Sequence, residues 1–481
     1  MTPPDWQKIA LETLRNAGAF ASDQARPTLR LGVTGFARSG KTVLITALIH
    51  NLLHGGLLSH FSAMREGKIR AVRLEPHPDR SIAAFDYEGH IEALTADPPR
   101  WPESTKAISQ VRLVIEFEPP GFFANMAGSG SLNLDIVDYP GEWLLDLALL
   151  DQNFAQWSGA TLALLREPSR EQLARPFLEF ISKLDPSAAF DERTAKAGHR
   201  LYRDYLALAR QKTHTLSLLT PGRFLLPGEL EGTPLMTFFP LEASTGSLAP
   251  ELSLRFETFR KSVVRQFYSR HFGILDRQIV LVDALDVLNA GPDAVADLKR
   301  ALDAVLASFR AGRNSWLSAL FYRRIDRVLF AATKADHLHH QSRPRLEAIL
   351  GTLVEEALAR GRAMDAEVRT LAIASLRATE EAAAKDKALP EGFVLGIPLA
   401  GQMIDGRTTD GISRLAVHPG ELPDNPAEAL QRAETGGPLL DLNFVKFGPP
   451  RLELNAAGVP ARWPHIDLDR VLEILLGDRL G

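Results

Sequence analysis

The feature that most constrains this chain is the segment from Gly35 to Thr42, which reads GFARSGKT. It matches the phosphate-binding pattern GxxxxGK[ST] at every fixed position. The apolar run 29–34 before it is typical of a strand, and the run 43–53 after it is typical of a helix. Because a strand, a glycine-rich loop and a helix together form the P-loop unit, the sequence predicts a nucleoside triphosphate site here.

Each part of this loop has a predicted role. Glycines let backbone N–H groups converge on phosphate oxygens, and the following helix presents the positive end of its dipole. Lys41 is predicted to reach the β- and γ-phosphates and to act in catalysis, and Thr42 to bind Mg²⁺ through its hydroxyl. The predicted nucleotide-binding residues of the loop are Gly35, Phe36, Ala37, Arg38, Ser39, Gly40, Lys41, Thr42 and Val43.

The composition excludes several other classes of protein. The chain has 481 residues, a net charge of −4 and no cysteine. The weak negative charge argues against a nucleic-acid partner, and the lack of cysteine rules out disulfides, thiolate metal sites and thiol nucleophiles. The start lacks the features of a signal peptide, and no run of about 18 apolar residues would cross a membrane. We therefore expect a cytoplasmic protein, and a peripheral role at the inner membrane stays open.

Strand-like runs recur along the chain and alternate with helical patterns in its second half. They lie at 111–117, 132–138, 278–283, 327–332 and 369–373. The first two are joined by a Gly- and Ser-rich link, as in a hairpin. The alternation predicts an α/β fold with a doubly wound, mostly parallel sheet, and with the P-loop this indicates the P-loop NTPase type; the motifs described next resemble its Ras-like GTPase class.

We predict five segments in this chain. Residues 1–27 form a leader helix, 28–142 the first part of the nucleotide-binding domain, 143–277 an inserted helical domain, 278–380 the second part of the nucleotide-binding domain, and 381–481 an α+β extension that packs on that core. Short β-like pieces are predicted at 393–395 and 444–447. The helices predicted after the second strand-like run cover 143–155, 171–184, 199–212, 293–309, 343–360 and 467–476, the last ended by Gly477.

A second motif follows the strand that ends at Asp138. Residues 138–141 read DYPG, the pattern DxxG at the carboxyl end of a core strand, where ligands bind in open α/β sheets. An aspartate there can hold a Mg²⁺-bound water, so Asp138 is a predicted metal ligand. A backbone N–H at Gly141 can contact the γ-phosphate and release the loop after hydrolysis.

A third motif selects the base. Residues 333–336 read TKAD, which matches [NT]KxD of the GTPase superfamily. The Asp336 carboxylate can accept hydrogen bonds from N1–H and the exocyclic amine of guanine, a donor pair that adenine lacks. Lys334 would cover the base with its stem. The predicted base-site residues are Thr333, Lys334, Asp336, Ser375 and Leu376, the last two in a loop whose N–H meets the guanine carbonyl.

One further residue is needed at the Mg²⁺ and γ-phosphate, and it must lie just before the second strand. Thr105, in WPESTK, is our first candidate as metal ligand and catalytic residue, and Ser104 is the second. The alternative, that Ser104 simply caps a short turn, stays open.

Together the motifs resemble GTPases of the translation-factor and Ras-like class. The longer segments WPESTKAISQVRL, LDIVDYPGEWLLDL, RQIVLVDALDVLNAGP and PHIDLDRVLEILLGDRL are similar to the YcjX-like family of bacterial stress-linked GTPases. The resemblance implies GTP or GDP with Mg²⁺ as cofactors, a role in an envelope stress response and a YcjF-like inner-membrane partner. We also weigh a nucleotide-dependent homodimer.

Two candidates remain for the catalytic step. Glu142 stands where Ras-like enzymes carry the glutamine that positions water; it is a catalytic candidate, but orienting a switch residue or forming a surface salt bridge are alternatives. Arg38 lies inside the P-loop, which resembles the arrangement of guanylate-binding-type large GTPases, where such an arginine acts as a finger in cis. The alternative is a solvated arginine at a loop tip.

Other interpretations stay open at this stage. An ATP-dependent P-loop kinase would need a phosphate-accepting substrate and no TKAD motif. A nucleotide-binding scaffold would hydrolyse little and act by docking a partner. His337, His339 and His340 are expected in a solvated loop rather than in a metal cluster, because no carboxylate or cysteine stands at suitable spacing.

Overall fold

The computed structural model describes residues 26–480, apart from residues 37, 57, 105–106, 119–129, 186, 212–214, 243–245, 309–324, 357, 360–365, 383–391, 430–441 and 443. The predicted leader helix lies outside the described residues. The principal strands are β1 (Thr28–Gly35), β2 (Ile69–Glu75), β3 (Ala83–Ala84), β4 (Ser109–Phe117), β5 (Gly130–Asp138), β6 (Arg277–Val282), β7 (Arg327–Ala332) and β8 (Glu367–Ala372).

These strands form one eight-stranded sheet in the order β2–β4–β5–β1–β6–β7–β8, with β3 paired to β4 off this path. Five adjacent strands run parallel to one another: β5, β1, β6, β7 and β8. Strand β4 is antiparallel to both of its neighbours, β2 and β5. The predicted α/β class with a mostly parallel, doubly wound sheet is therefore confirmed. The β4–β5 pair also confirms the predicted hairpin.

Helices cover both faces of this sheet. The helices outside the segment between β5 and β6 are α1 (Lys41–His54), α2 (Ser62–Arg65), α3 (Tyr87–Thr95), α9 (Ala284–Ala290), α10 (Pro292–Ser308), α11 (Arg343–Leu353) and α12 (Leu468–Leu480). Alternate residues of β6 show the division: Ile279 and Leu281 pack with α1 and α12, and Val280 and Val282 pack with α9, α10 and α11. Because both faces are covered, β6 is buried along its whole length.

Strand β2 was not predicted from the sequence. It lies at the edge of the sheet, and its seven residues are exposed or only partly buried. Edge strands carry charged side chains where they face water, and here Arg73 contacts Glu75 and Glu116. The apolar run that marked the inner strands is consequently missing.

Between β5 and β6 the described residues form helices and irregular chain, without a strand. These helices are α4 (Glu142–Leu147), α5 (Phe154–Leu165), α6 (Pro168–Ser182), α7 (Glu192–Ala209) and α8 (Leu248–Phe259). The single helix predicted at 143–155 is wrong: α4 passes into a 3₁₀ turn and α5 begins anew, capped by Asn153. Helix α8 continues through two π-helical turns to Phe272.

This helical segment has an aromatic core that is continuous with the sheet. Trp157 stacks on Phe256 with ring centroids 5.0 Å apart, and Phe238 packs against both. The same cluster of buried residues includes Val137 of β5 and Val305 of α10. The helical segment is thus packed on one face of the sheet, and its boundaries as a separate domain stay a prediction.

The C-terminal part adds small antiparallel sheets and a core helix. The strands are β9 (Thr379–Glu381), β10 (Val394–Gly396), β11 (Met403–Ile404), β12 (Arg407–Thr408) and β13 (Leu415–Val417). The predicted β-piece at 393–395 corresponds to β10, whereas the piece at 444–447 makes only an isolated bridge at Phe447. Helix α12 passes through Gly477, so the predicted stop there is wrong.

A buried ion pair joins the helical segment to the rest of the fold. The Arg170 guanidinium of α6 contacts Asp297 of α10 and donates to the Tyr205 hydroxyl at 2.5 Å. The other Asp297 oxygen accepts the N–H groups of Ser217 and Leu218 at 2.6 and 2.9 Å. Both ionic side chains are almost fully buried. Removing one partner would leave an uncompensated charge inside the protein.

We expect Arg170→Ala to lower the free energy of unfolding by about 3–5 kcal/mol, because Asp297 would stay buried with only the more distant, partly exposed Arg300 as its cation. Urea denaturation followed by circular dichroism measures this change. Arg175→Ala is the matched control: Arg175 is exposed on the same helix, and its removal should change the stability by less than about 0.5 kcal/mol. Equal stabilities of the two variants would contradict the assignment.

Candidate functional site

The phosphate end of the candidate site is the loop between β1 and α1. Gly40 has φ 88°, a left-handed conformation that glycine adopts without a steric cost, and the chain turns there into α1. The Lys41 ammonium donates to the Gly35 carbonyl at 3.1 Å, and the Thr42 hydroxyl donates to the Glu103 carbonyl at 3.5 Å. Both side chains thus lie in the first turn of a helix, where anions are favoured.

The oxygen atoms at this end fit a hard divalent cation. Thr42 offers a hydroxyl, and Asp138, at the end of β5, offers a buried carboxylate. Mg²⁺ prefers such oxygen ligands and retains several of its waters. The Ser39 hydroxyl is buried and has no hydrogen-bond partner among the residues that the structure describes. An orphan hydroxyl of this kind suits a loop that receives a polar ligand.

Arg38 occupies an unusual place in the loop. Its φ of 64° lies in the left-handed region, which is uncommon for a residue with a side chain. The residue is exposed and lines the cleft described below. Its neighbour Ala37, also predicted to bind phosphate, lies outside the described residues.

The DxxG motif folds against the P-loop. A Cβ at Gly141 would overlap the Gly35 carbonyl, so the two backbones meet without room for a side chain. Glu142 begins α4 directly after this contact. Its carboxylate pairs with the Arg210 guanidinium at 2.7 Å, and the Glu142 side chain is only 6% exposed. The predicted alternative was a surface salt bridge. The salt bridge is present, but the Glu142 carboxylate is buried and not at the surface.

The base end lies where β7 and β8 finish. Lys334 has φ 62°, and its ammonium contacts the Asp283 carboxylate. Burial alone would lower the pKa of Lys334, but the adjacent Asp283 carboxylate outweighs it and raises that pKa. Asp283 also caps α9, because its side chain accepts the Asp286 N–H.

Asp336 is held by backbone groups of the next loop. One oxygen of its carboxylate accepts the Ala378 N–H at 2.7 Å, and the carbonyl of Asp336 accepts the Thr379 hydroxyl. The Trp463 indole donates to the Ser375 carbonyl at 2.7 Å, which secures the neighbouring loop. The Ala378 N–H thus orients the carboxylate itself, while the other two bonds hold the backbone on either side of the base end.

A single cleft of about 350 Å³ connects the phosphate end and the base end. Twelve of the predicted site residues line it: Arg38, Ser39, Gly40, Lys41, Thr42, Val43, Glu142, Thr333, Lys334, Asp336, Ser375 and Leu376. Four others, Gly35, Phe36, Asp138 and Gly141, are not among the lining residues. Thr105 lies outside the described residues, whereas the second candidate, Ser104, lines the cleft.

Part of the cleft wall was not predicted because it comes from distant parts of the sequence. Trp101, Arg210, Lys446 and Phe447 all line it. The Trp101 indole donates to the Phe447 carbonyl at 2.8 Å, and Lys446 pairs with Asp286 at 2.5 Å. None of the P-loop, DxxG and TKAD motifs contains these residues: Arg210 comes from the helical segment, and Lys446 and Phe447 come from the C-terminal part.

Two of the three histidines after the TKAD motif, His337 and His339, are buried, so the expected solvated loop is wrong for them, whereas His340 is exposed as expected. His337 is buried in the cleft wall, edge-to-face with Phe447, and burial lowers its pKa. His339 is also buried, and His340 contacts Glu381 of β9 at 2.8 Å. Glu381, which lies on a strand later in the chain, supplies a carboxylate that the spacing in the sequence did not indicate. Arg343 occupies its other oxygen at 2.8 Å, so this cluster is a charge-balanced network.

Comparison with known proteins decides the family. The family model described as "YcjX-like family, DUF463" matches residues 29–480. This chain belongs to the YcjX-like family.

Two curated relatives of this YcjX-like chain are named Ras-like GTPase YcjX. The protein of Shewanella oneidensis is 35% identical over 478 residues, covering 94% of each chain. That of Escherichia coli K12 is 34% identical over 473 residues, covering 94% of this chain and 96% of the relative. Among solved structures, the signal recognition particle receptor SRβ-GTP/SRX complex from Chaetomium thermophilum aligns at 11% identity with a TM-score of 0.23, over 72% of this chain and 91% of that one. This structural likeness is too weak to carry an argument.

In this YcjX-like chain the helical segment contacts α4, beside the cleft, through hydrogen bonds and a cation–π interaction. Asp146 of α4 accepts the N–H groups of Gly222 and Arg223 at 2.6 and 3.1 Å, and the Arg223 guanidinium lies 3.3 Å over the Trp143 ring. Burial raises the pKa of Asp146 to about 7, although the Arg223 charge and the two N–H groups oppose the rise. Burial likewise lowers the pKa of Arg223 to about 10.

This shift predicts how stability depends on pH. The unfolded chain releases the Asp146 proton near its ordinary pKa of 3.8, whereas the folded chain retains it until about pH 7. Asp146 therefore favours the folded state below pH 3.8, and this contribution is lost as the pH rises toward 7. Asp146→Asn cannot titrate and retains an acceptor oxygen. Relative to this variant, the wild type should lose up to about 4 kcal/mol between pH 4 and 7.

Urea denaturation at several pH values between 4 and 8 measures this difference. Asp204→Asn serves as the control because Asp204 is exposed on α7, and its pH profile should parallel the wild type. A parallel profile for Asp146→Asn as well would contradict the assignment.

Proposed function

We propose that this protein binds GTP and GDP with Mg²⁺, hydrolyses GTP and acts as a molecular switch. The observation that carries the proposal is that the P-loop residues and the TKAD residues line the same cleft of about 350 Å³. Its size fits the pocket of a small ligand. The printed name of the two curated relatives, Ras-like GTPase, supports the same chemistry.

We assign the selection of guanine over adenine to Asp336 and Lys334. The Asp336 carboxylate is positioned by the Ala378 N–H and remains an acceptor with further lone pairs for N1–H and the exocyclic amine. Lys334 would lie along the base while its ammonium stays paired with Asp283. Ser375 and Leu376 would offer backbone N–H groups to the guanine carbonyl.

Binding of Mg²⁺ is assigned to the Thr42 hydroxyl, with Asp138 acting through water and Thr105 from the loop before β4. The ion would supply positive charge that offsets the charge of the phosphates. Lys41, now bonded to the Gly35 carbonyl, would turn to the same phosphates. Gly141 would contact the γ-phosphate through its N–H, so hydrolysis would release α4.

The wider role follows from the family. We propose a cytoplasmic protein of an envelope stress response that acts peripherally at the inner membrane, with a YcjF-like membrane protein and a second copy of itself as partners. Among the described helices, none has an apolar stretch of the length needed to traverse a bilayer.

Exchange of Asp336 for asparagine tests the base assignment. We expect Asp336→Asn to weaken GTP binding about 10- to 100-fold, because the asparagine amide replaces a charged acceptor with one acceptor and one donor. Xanthine nucleotides carry a carbonyl where guanine has its amine, so XTP affinity should rise. Fluorescence titration with labelled GTP and XTP measures both.

Wild-type titrations with GTP and ATP complete this test. Asp424→Asn is the control, since Asp424 is 85% exposed and pairs with Arg345 outside the cleft. Equal wild-type affinity for ATP and GTP would favour an ATP-dependent enzyme and sink the guanine assignment. Turnover that stays near zero with Mg²⁺ would favour a nucleotide-binding scaffold.

A further inference from the structure

We propose that Arg210 is the cation that neutralises the charge developing on the γ-phosphate during hydrolysis. It is supplied by the helical segment between β5 and β6, directly after α7. This inference rests on the proposed GTP hydrolysis and names the catalytic residue that the P-loop and the TKAD motif do not provide.

The position of Arg210 puts it at the phosphate end of the cleft. It lines the cleft and pairs with Glu142 at 2.7 Å. Glu142 directly follows Gly141, whose backbone touches Gly35 of the P-loop. The base end, with Lys334 and Asp336, lies at the ends of other strands. A guanidinium held by Glu142 is therefore beside the γ-phosphate position and away from the base.

The support beneath Arg210 is rigid. Helix α7 ends one residue before it and buries Tyr202, Tyr205 and Leu206 in the aromatic core. The Arg210 N–H donates to the Leu206 carbonyl at 3.2 Å. Such a base lets a charged donor reach the transition state without reorganisation, which is the main source of electrostatic catalysis.

The α4 side of the pair is equally constrained. A Cβ at Gly222 would overlap the Glu142 carbonyl, and Asp146 holds the Gly222 N–H. The helical segment therefore contacts Glu142 twice. Gly222 packs against the Glu142 backbone, and Arg210 pairs with the Glu142 carboxylate. Any movement of α4 with the nucleotide would move Arg210 relative to the γ-phosphate.

Electrostatics explain why Glu142 needs this partner. A carboxylate beside the triphosphate would repel it, and the Arg210 charge removes that repulsion. Guanidinium has five N–H donors in a planar fork, so it can keep Glu142 and still donate to a phosphate oxygen. Arg38, the other candidate, is exposed at the loop tip. Arg210 is the more buried of the two and is held by an ion pair.

The reaction step conserves atoms and charge. The oxygen of water attacks the γ-phosphorus, and the bond to the β–γ bridging oxygen breaks with its electron pair leaving on GDP. The proton of the attacking water passes to phosphate or solvent. Arg210 donates hydrogen bonds to the γ-phosphate and bridging oxygens throughout and retains its own protons.

The test compares Arg210→Ala and Arg38→Ala in single-turnover hydrolysis of GTP with Mg²⁺. We expect Arg210→Ala to slow hydrolysis about 10³-fold, with affinities for labelled GTP and GDP changed less than about tenfold. It should also lose the extra affinity for GDP with aluminium fluoride, which mimics the transition state. Arg203→Ala, on the exposed side of α7 and paired with Glu231, should behave as wild type.

A double variant separates catalysis from simple charge balance. Arg210→Ala with Glu142→Ala removes both charges, leaves neither partner unpaired and puts no glutamine at position 142; retained GDP binding checks that the variant is folded. We expect it to be as slow as Arg210→Ala. Wild-type turnover in the double variant would overturn the proposal, because Arg210 would then only neutralise Glu142.

Two other outcomes are distinguishable. Normal hydrolysis by Arg210→Ala, with loss in Arg38→Ala, would overturn the inference and leave the proposed function intact. Failure of the wild type to bind or hydrolyse GTP would instead contradict the proposed function itself, and the catalytic role with it.

Discussion

The parallel register of β5, β1, β6, β7 and β8 is the constraint on which the candidate site depends. Val33 pairs with Asp138, Gly35 with Leu281, and Ala332 with both Val282 and Ala372. Each of these strands consequently ends at the same edge of the sheet. Segments distant in sequence, from the P-loop to the loop after β8, therefore emerge side by side. A slip of one residue in the register would move every side chain of a strand to the opposite face of the sheet, and the segments that follow the strands would no longer lie together.

The helical segment between β5 and β6 follows from the same geometry. It leaves the sheet directly after the DxxG motif, and so its first helix, α4, is also the start of the aromatic core. Trp143 and Leu145 of α4 belong to the cluster that contains Trp157 and Phe256. A shift of α4 by a turn would disturb this packing, and interiors of such density respond by moving between discrete arrangements. The segment is thus mechanically joined to any nucleotide-dependent movement of α4.

Residues whose positions are set by local patterns could be predicted from the sequence. The P-loop, DxxG and TKAD segments each stand after a run of buried strand residues, and the structure brings most of their predicted site residues to one cleft. Arg210 and Phe447 could not be found this way, because they follow no motif and reach the cleft through helix packing and an isolated bridge. His337 was misjudged since its burial depends on Phe447. Strand β2 escaped because an edge strand lacks the apolar run that identifies inner strands.

The C-terminal part is integral to the site. Arg277, fully buried at the start of β6, forms a pair of hydrogen bonds to Asp478 of α12 at 2.6 Å. Trp463, just before α12, packs against His50 of α1 with ring centroids 4.9 Å apart and donates to the Ser375 carbonyl. Trp463 thus contacts both α1, which follows the P-loop, and the loop that contains Ser375 at the base end. Since Phe447 also accepts the Trp101 indole N–H, the loop before β4 is tied to this part as well. The base end of the cleft and the loop beside Thr42 are therefore connected through residues that none of the nucleotide motifs contains.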